Sequence, residues 1–331
     1  MAENTSIIET KDLRKNFPAK GRGGKDTPNV PNVVEAVRGI TFDVKKGEIF
    51  GLLGPNGAGK TTTMRMLCTL LVPTSGTVRI AGFDLATHQG DIRRAIGYVS
   101  QVGGMQREAT GRENVMLQAK LYGMSSRDAK ARVEEILKLL EIGDFADRKT
   151  TTYSGGQRRI FDLASGIVHN PQILFLDEPS TGLDPQNRAH VWEQVKKLHE
   201  KGTTVFLTTH YLDEADSLCD RVAIVDNGNI AALGTPDDLK RQIAGDIITL
   251  GFADAATAAR AAEAVGPHPF IREKEVKGDV VCLYVEKGDE NLPVVTKALH
   301  EKGITAKTLN FSRPTLDDVF LKLTGRSLRE S

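Results

Sequence analysis

The sequence predicts an α/β protein in which a P-loop nucleotide-binding domain precedes a small α+β domain. Three observations predict this. Residues 54–61 read GPNGAGKT and lie between an apolar run and a helix-prone segment, which is the strand–loop–helix context of a phosphate-binding loop. Residues 173–178, ILFLDE, are a second apolar strand that ends in two carboxylates. From residue 245 the patterns alternate in the order βαββαβ, which is typical of a split βαβ, ferredoxin-like unit.

Length and composition exclude several classes of protein. A chain of 331 residues is long enough for one large domain and a smaller one. Its 44 basic and 43 acidic side chains leave a formal charge of +1, so no overall field favours nucleic acid. No apolar run approaches the roughly 18 residues of a membrane span, and the first residues lack signal-peptide features. Cys68, Cys219 and Cys282 are too few and too scattered for a disulfide framework or zinc site, which predicts buried thiols in a reducing cytosol.

The phosphate-binding loop follows the predicted strand at residues 48–53. Gly54, Gly57 and Gly59 allow the backbone to curl so that successive N–H groups point at phosphate oxygens. Lys60 adds a mobile positive charge, and the hydroxyl of Thr61 is placed to ligate Mg²⁺. A glycine-rich turn before a helix is the alternative interpretation, but a complete match in this context favours nucleotide binding.

The second motif places Asp177 and Glu178 at the carboxyl end of a buried strand, where nucleotide sites form in parallel sheets. Asp177 is predicted to hold Mg²⁺ and Glu178 to polarise the attacking water. A core strand whose polar end faces solvent leaves the same pattern, so this motif alone does not decide.

The third motif is YSGGQ, residues 153–157, directly ahead of a helical segment. Ser154 is a natural N-cap, and Gly155 and Gly156 leave backbone N–H groups open to an anion. An ordinary capped helix is the alternative. A second phosphate-binding helix terminus beside a complete P-loop makes sense only if it serves a different nucleotide.

Taken in this order and spacing, the three motifs resemble the nucleotide-binding subunit of an ATP-binding cassette (ABC) transporter, over about residues 6–240. The resemblance implies a mixed sheet core and a helical subdomain at about 103–168 that docks a membrane subunit. Gln101 resembles the Q-loop glutamine, Asp184 belongs to a D-loop-like STGLD, and His210 resembles the switch histidine. A lone histidine after a strand is more often structural, but here it follows the other motifs in family order.

The resemblance implies roles for individual residues. Catalytic roles are implied for Glu178, His210 and Gln101, and Mg²⁺ contacts for Thr61, Gln101 and Asp177. Phe17 would stack on adenine. Contacts with ATP are implied for Phe17, Gly54, Asn56, Gly57, Gly59, Lys60, Thr61, Thr62, Ser154, Gly155, Gly156, Gln157 and Asp184.

An insertion at residues 18–31, PAKGRGGKDTPNVP, departs from the family pattern. Its glycines and prolines, with Lys20, Arg22 and Lys25, predict a mobile surface loop. A contact with lipid headgroups or the membrane partner is the alternative. The insertion also leaves the placement of Phe17 open.

Local signals predict three further elements. Ser125 or Ser126 begins an amphipathic helix whose apolar face is formed by Ala129, Val133, Ile136, Leu137 and Leu140. Asn227 and Gly228 are a hairpin turn signal, and a helix is predicted from Leu292 to Lys302.

The predicted domains are residues 1–244, the ATPase, and 245–331, the βαββαβ accessory domain. Leu316, Val319, Phe320 and Leu323 make one stripe on a closing helix. The stripe either packs on its own sheet, as in a self-contained appendage, or helps to hold two protomers or the membrane subunit.

Finer features resemble the daunorubicin/doxorubicin-resistance exporter group: RPTLDDVFLKLTG at 313–325, TGRENV at 110–115, and the RR-x-x-D-x-A that follows SGG. This resemblance implies ATP and Mg²⁺ as cofactors, and as partners a second copy or homologous cassette and a separately encoded transmembrane permease. It implies a peripheral, prokaryotic protein at the cytoplasmic face of the cell membrane.

The sequence therefore predicts an ATP-hydrolysing exporter subunit that drives efflux of a drug or other hydrophobic compound. Export of lipid, polysaccharide or ions remains open, because the cargo path lies in the permease. A non-transport ABC protein is a further alternative, against which the single P-loop and the absence of heptad runs and CxxC pairs argue. An inactive scaffold is disfavoured by the presence of Glu178 and His210.

Overall fold

The computed structural model describes residues 5–18, 33–243 and 245–325. Contacts divide the chain into two compact units, Met1–Leu233 and Gly234–Ser331. The loop predicted at residues 18–31 lies, apart from Pro18, outside the described residues.

The first unit contains two sheets. Its strands are β1 (Ser6–Pro18), β2 (Val33–Lys45), β3 (Ile49–Leu53), β4 (Ser75–Ile80), β5 (Phe83–Asp84), β6 (Ile96–Val99), β7 (Ile173–Asp177), β8 (Thr204–Thr209), β9 (Arg221–Asp226) and β10 (Asn229–Gly234). One sheet has the order β2-β1-β4-β5 and is antiparallel. The other has the order β10-β9-β3-β8-β7-β6, with parallel pairing from β9 to β6. Every residue of β3, β7 and β8 is buried, as expected for parallel strands covered on both faces.

Helices connect these strands. They are α1 (Lys60–Leu67), α2 (Gln89–Ala95), α3 (Gly111–Leu121), α4 (Ser126–Leu139), α5 (Gly155–Ile167), α6 (Pro185–Glu200) and α7 (Leu212–Leu218). The start of α4 shows why the local sequence folds this way: the Ser125 hydroxyl accepts a hydrogen bond from the N–H of Asp128, as an N-cap does. Ala129, Val133 and Ile136 then face the core at helical spacing, which confirms the stripe predicted for this helix.

A cluster of phenylalanines lies at the centre of the first unit. The rings of Phe42 and Phe50 stack with centroids 5.3 Å apart, and Phe206 lies 5.5 Å from Phe50 and 5.3 Å from Phe175. Complete burial of such a side chain contributes about 1.5–3 kcal/mol. Because Phe50, Phe175 and Phe206 belong to β3, β7 and β8, this core fixes the strands whose carboxyl ends carry the predicted site.

The second unit has its own sheet and core. Its elements are α8 (Pro236–Ile243), β11 (Asp246–Gly251), α9 (Ala255–Ala264), β12 (Ile271–Lys277), β13 (Val280–Val285), α10 (Gly288–Glu301), β14 (Thr308–Ser312) and α11 (Leu316–Thr324). The strand order is β12-β13-β11-β14, and each neighbouring pair is antiparallel. From β11 to β14 this is the βαββαβ series predicted from the sequence. The start of α10 was predicted at Leu292 and lies instead at Gly288.

The division between the units differs from the predicted boundary after Ala244. The structure groups α8 with the second unit, because this helix packs on α11. Leu239 of α8 is buried, and a domain that ended at Ala244 would lack α11, the helix on which α8 packs. The predicted stripe on α11 is also shorter than expected: Leu316, Val319 and Phe320 are buried, whereas Leu323 is 38% exposed.

Across the described parts of the chain, no helix combines the length and apolar character that crossing a bilayer requires. The three cysteines are free. Cys68 and Cys219 are buried, as predicted, but Cys282 is partly exposed.

Candidate functional site

Close backbone approaches require the glycines at Gly54 and Gly59 after β3, whereas Gly57 is favoured by its φ of +80°. A Cβ on Gly54 would lie 2.1 Å from the carbonyl oxygen of Val225, and one on Gly59 would lie 2.5 Å from that of Ala36. Gly59 also has a φ of +102°, in the left-handed region that favours glycine. The loop between β3 and α1 is therefore seated tightly against β2 and β9.

Lys60, at the start of α1, is a buried cation with 4% of its side chain exposed. Its Nζ donates hydrogen bonds to the carbonyls of Gly54 (2.7 Å) and Pro55 (3.0 Å) and lies 3.5 Å from Oε1 of Glu178. Burial lowers the pKa of Lys60, while the charge of Glu178 opposes that shift. The ammonium thus lies inside the loop, between its backbone and the carboxylate at the end of β7.

Asp177 is held by two hydroxyls. Oδ1 accepts hydrogen bonds from Thr208 Oγ1 (2.6 Å) and Thr61 Oγ1 (3.1 Å). Thr208 also accepts a hydrogen bond from the N–H of Glu178 at 3.1 Å, so one buried hydroxyl orients both acidic residues. Thr208 was not predicted from the sequence; two threonines at the end of the otherwise apolar strand VFLTT were the available signal.

Glu178 is the centre of the site. Oε2 accepts hydrogen bonds from Gln101 Nε2 (3.0 Å) and Thr181 Oγ1 (3.1 Å), and Nδ1 of His210 lies 3.3 Å away. Burial raises the pKa of Glu178, but the close contact with His210 and the charge of Lys60 outweigh it and lower the pKa to about 2. The side chain is therefore a carboxylate at neutral pH.

The backbone of Glu178 is strained. Its φ of +47° lies in the left-handed region, which costs a residue with a Cβ about 1–2 kcal/mol. The N–H donates to the carbonyl of Thr208 at 3.1 Å, and the side-chain contacts described above hold the carboxylate. These contacts stabilise a conformation that the residue would not adopt alone.

A second cluster lies at the starts of α5 and α6. Ser154 and Gln157 form a capping box, in which each side chain accepts a hydrogen bond from the backbone N–H of the other residue. A Cβ on Gly156 would lie 2.2 Å from Oδ1 of Asn187. Asn187 in turn donates its N–H to Oδ1 of Asp184 at 2.9 Å, so Asp184 caps α6.

The remaining predicted residues lie in β1, in the P-loop and in α1. Phe17 is partly exposed near the end of β1, opposite Val34 of β2, with Lys15 Nζ 5.2 Å from its ring centroid. Asn56 is exposed in the loop and Thr62 is partly buried in α1. The structure thus brings Lys60, Thr61, Gln101, Asp177, Glu178 and His210 into one network, whereas Ser154 to Gln157 and Asp184 contact each other through Asn187.

Comparisons with known proteins agree with the resemblance to ABC transporter subunits that the sequence motifs show. The ABC transporter family profile matches residues 37–181, and that of the C-terminal domain of DrrA1-3-like ATP-binding proteins matches residues 234–324. The daunorubicin resistance ATP-binding protein DrrA3 of Streptomyces coeruleorubidus is 42% identical over 295 residues, which cover 89% of this chain and 93% of that protein. The chain belongs to the ATP-binding subunits of ABC transporters. It is therefore an ATPase of a family that includes drug-resistance exporters.

Two further relatives extend the comparison of this ABC ATPase. The linearmycin resistance ATP-binding protein LnrL of Bacillus subtilis is 38% identical over 298 residues, covering 89% of this chain and 95% of that protein. Among solved structures, a dimeric ATP-binding cassette in a post-hydrolysis state with ADP and Pi has a TM-score of 0.60 and 27% identity. It covers 69% of this chain and 98% of its own.

Proposed function

We propose that this ABC ATPase acts as a dimer that binds ATP–Mg²⁺ between two copies and energises export of a drug or other hydrophobic compound through a separately encoded permease. The observation that carries the proposal is the division of the predicted ATP contacts into two clusters. Lys60, Thr61 and the acidic residues form one network, and Ser154 to Gln157 form another at the start of α5. In such a dimer, each ATP would contact the P-loop network of one copy and the start of α5 of the other copy.

The P-loop network accounts for binding and turnover. Lys60 and the N–H groups at the start of α1 would hold the β- and γ-phosphates. Phosphoryl transfer has a loose transition state, so the rate gain comes from positioning and from stabilising charge. Gln101, Glu178 and His210 share one contact point, Oε2 of Glu178, which is where an attacking water would be oriented.

The donor set fits Mg²⁺. Thr61 and Asp177 present oxygen atoms that already meet at 3.1 Å, Gln101 adds an amide oxygen, and hard oxygen donors with few protein ligands are what this ion prefers. When bound, Mg²⁺ would neutralise charge on the β- and γ-phosphate oxygens. Thr208 keeps Asp177 oriented toward that position.

Lys60 and Glu178 are linked in a way that bears on catalysis. The charge of Lys60 helps to keep the pKa of Glu178 near 2, and a carboxylate with so low a pKa is a weak base. When Lys60 turns toward phosphate, Glu178 loses one of the contacts that depress its pKa. Substrate binding thereby raises the basicity of Glu178, as a residue that takes a proton from water requires.

The cargo is inferred from relatives. The proteins named for daunorubicin and linearmycin resistance cover most of this chain, which supports a drug or other hydrophobic compound. The Nod factor export ATP-binding protein I of Burkholderia lata is 37% identical over 295 residues, and it supports export of another compound as the second candidate. In either case the protein would lie at the cytoplasmic face of the membrane, held by the permease.

Complementation between two inactive variants tests the shared site. Lys60→Ala removes the phosphate-binding cation, and Ser154→Arg blocks the contact with the other copy's ATP. Each homodimer should be inactive, because both of its sites contain the lesion. A mixed dimer keeps one complete site, so mixing the two purified variants should restore hydrolysis, up to about half the wild-type rate per dimer.

The measurement is steady-state ATP hydrolysis at several mixing ratios, beside nucleotide affinity of each monomer. Ser154→Arg should leave the monomer's affinity unchanged, whereas Lys60→Ala should weaken it. A Ser154→Arg protein that hydrolyses ATP at the wild-type rate would contradict the shared site.

A further inference from the structure

Arg159, in the second turn of α5, is a buried cation with 6% of its surface exposed. Its guanidinium donates three hydrogen bonds to backbone carbonyls: Nε to Pro179 (2.7 Å), Nη1 to Ser100 (2.6 Å) and Nη2 to Asp177 (3.1 Å). The proposed mechanism assigns no task to this group.

The positions of the three acceptors are informative. Asp177 and Pro179 lie on either side of Glu178, and Ser100 immediately precedes Gln101. One rigid, planar group therefore joins the backbone segments that carry Gln101 and Glu178. The side chains of those two residues meet at 3.0 Å, between Nε2 and Oε2.

The other end of the Gln101 turn is also held by α5. Oδ1 of Asp162 accepts a hydrogen bond from the N–H of Gly104 at 3.3 Å. A Cβ on Gly103, whose φ is +76°, would lie 2.7 Å from Oδ2 of Asp162. Arg159 and Asp162 lie about one helical turn apart on α5, and they hold the two ends of the Gln101 turn, at Ser100 and at Gly104.

Such groups are costly in a core. Each buried charge carries a desolvation penalty of about several kcal/mol unless it is well hydrogen-bonded. A packing role alone would be served by an apolar side chain of similar volume. Three backbone carbonyls, one for each nitrogen of the guanidinium, instead match the fork of donors that arginine has and lysine lacks.

We infer that Arg159 is a positioning residue that sets the geometry between Gln101 and Glu178 and ties both to α5, with Asp162 holding the far side of the Gln101 turn. This inference rests on the proposed roles of Gln101 and Glu178. Because α5 begins next to Ser154, the same helix carries the contact for the second copy's ATP. A displacement of its start would reach the catalytic carboxylate through Arg159.

The test is Arg159→Lys, which keeps the charge but cannot reach three carbonyls. The expected result is a kcat lowered about 10- to 100-fold, because small misplacements of catalytic groups have effects of that size. KM and the Kd for ATP should stay within about twofold of wild type, since the contacts of Lys60 and Thr61 are untouched. A wild-type kcat, or a raised KM with unchanged kcat, would overturn the inference.

Arg132→Lys is the matched control. Arg132 also donates to two backbone carbonyls, those of Ile167 and Val168, but at the opposite end of α5. It should leave kcat unchanged at a comparable shift in Tm. If both variants lose kcat in proportion to their loss of Tm, Arg159 is only structural and the inference fails.

A double-mutant cycle tests the route through Glu178. Single-turnover hydrolysis of Glu178→Gln is compared with that of the protein carrying Glu178→Gln and Arg159→Lys together. Since Arg159 acts by orienting Glu178, the second substitution should lower the residual rate by no more than about twofold. An equal fold loss in both backgrounds would show an independent action and overturn the inference.

Asp162→Asn covers the case in which Arg159→Lys does not fold. It keeps the shape of the side chain and weakens the hydrogen bond to Gly104, so a smaller fall in kcat with unchanged KM is expected. Unchanged kcat would count against the inference. If Glu178→Gln alone hydrolyses ATP at the wild-type rate, the proposed role of Glu178 fails instead, which separates the two conclusions.

Discussion

The two units of this ABC ATPase differ in what they bury. Across the described residues, every buried polar or charged side chain belongs to the first unit, including Lys60, Arg159, Asp177, Glu178 and Glu214. The core of the second unit is formed by apolar side chains from β11, β13, α9 and α10.

The difference separates what each unit requires for folding from what it requires for chemistry. The second unit reaches a packed core without any fully buried polar side chain among its described residues. Buried charges are therefore not needed to make a sheet and helices of this size stable, and they carry a desolvation cost. In the first unit, Lys60, Asp177 and Glu178 meet at the carboxyl ends of β3, β7 and β8, where contacts with one another and with Thr61 and Thr208 hold them in place. Substitutions there should change turnover, whereas loss of the second unit should leave nucleotide binding intact.

The largest expected effect is that of Glu178→Gln. Removing the charge that is proposed to orient water should lower the turnover number about 10²- to 10⁴-fold, while ATP affinity stays close to wild type because the predicted phosphate contacts remain. Steady-state hydrolysis and equilibrium nucleotide binding measure the two quantities. Glu200→Gln, the same change at the exposed end of α6, is the control and should be silent. Near wild-type turnover of Glu178→Gln would contradict the assignment of turnover to the buried charges of the first unit.

A smaller effect is expected from Thr208→Val, which removes one buried hydroxyl at nearly constant volume. Asp177 and the N–H of Glu178 both lose a partner, and loss of a group that orients a metal ligand typically costs about 10- to 100-fold in metal affinity or activity. The Mg²⁺ concentration for half-maximal hydrolysis should rise. Thr204→Val removes a hydroxyl from the other end of β8, where it accepts from the N–H of Gly47. That variant should lose stability without a change in Mg²⁺ dependence; equal Mg²⁺ responses would mean that Thr208 is only structural.

The smallest expected effect on nucleotide binding is that of removing the second unit. A protein ending at Leu233 keeps every predicted ATP contact, so its Kd for ATP should match that of the full chain. A protein ending at Ala244 keeps α8 without α11, which exposes Leu239, and should melt or aggregate at lower temperature. Dimer mass at matched concentrations then distinguishes a self-contained appendage, which leaves dimerisation unchanged, from a unit that holds two copies together. Loss of ATP affinity in the shorter protein would place part of the site beyond Leu233.

Local signals in the sequence were sufficient for much of the fold. Ser125 and the stripe after it predicted α4, and Asn227 with Gly228 predicted the turn between β9 and β10, where both residues have positive φ. Where a prediction was wrong, packing was the reason. Pro293 favours a helix start nearby, yet α10 begins at Gly288, whose N–H donates to Oδ2 of Asp246. That partner is distant in the chain.

The same distinction applies to the site. The motifs indicate the chemistry of their own residues, and the structure places three of these together: Lys60, Asp177 and Glu178. Thr208 could not be identified from the sequence, because threonine is common in strands and only the fold brings its hydroxyl to Asp177. The contacts of Arg159 were equally unpredictable, since its acceptors are main-chain carbonyls, which every sequence supplies at every position. Whether Ser154 and Asp184 contact a second copy's ATP stays a prediction.

The strained backbone of Glu178 has a consequence for how this protein would respond to selection. At a φ of +47°, glycine or asparagine would be less strained than glutamate. Neither of them would place a carboxylate beside Lys60. The residue that is proposed to serve turnover is thus a poor choice for the local conformation. Laboratory selection for heat resistance alone should replace glutamate at this position and yield variants that are more stable but hydrolyse little ATP. Continued selection for ATP turnover would be needed to keep the glutamate at this position.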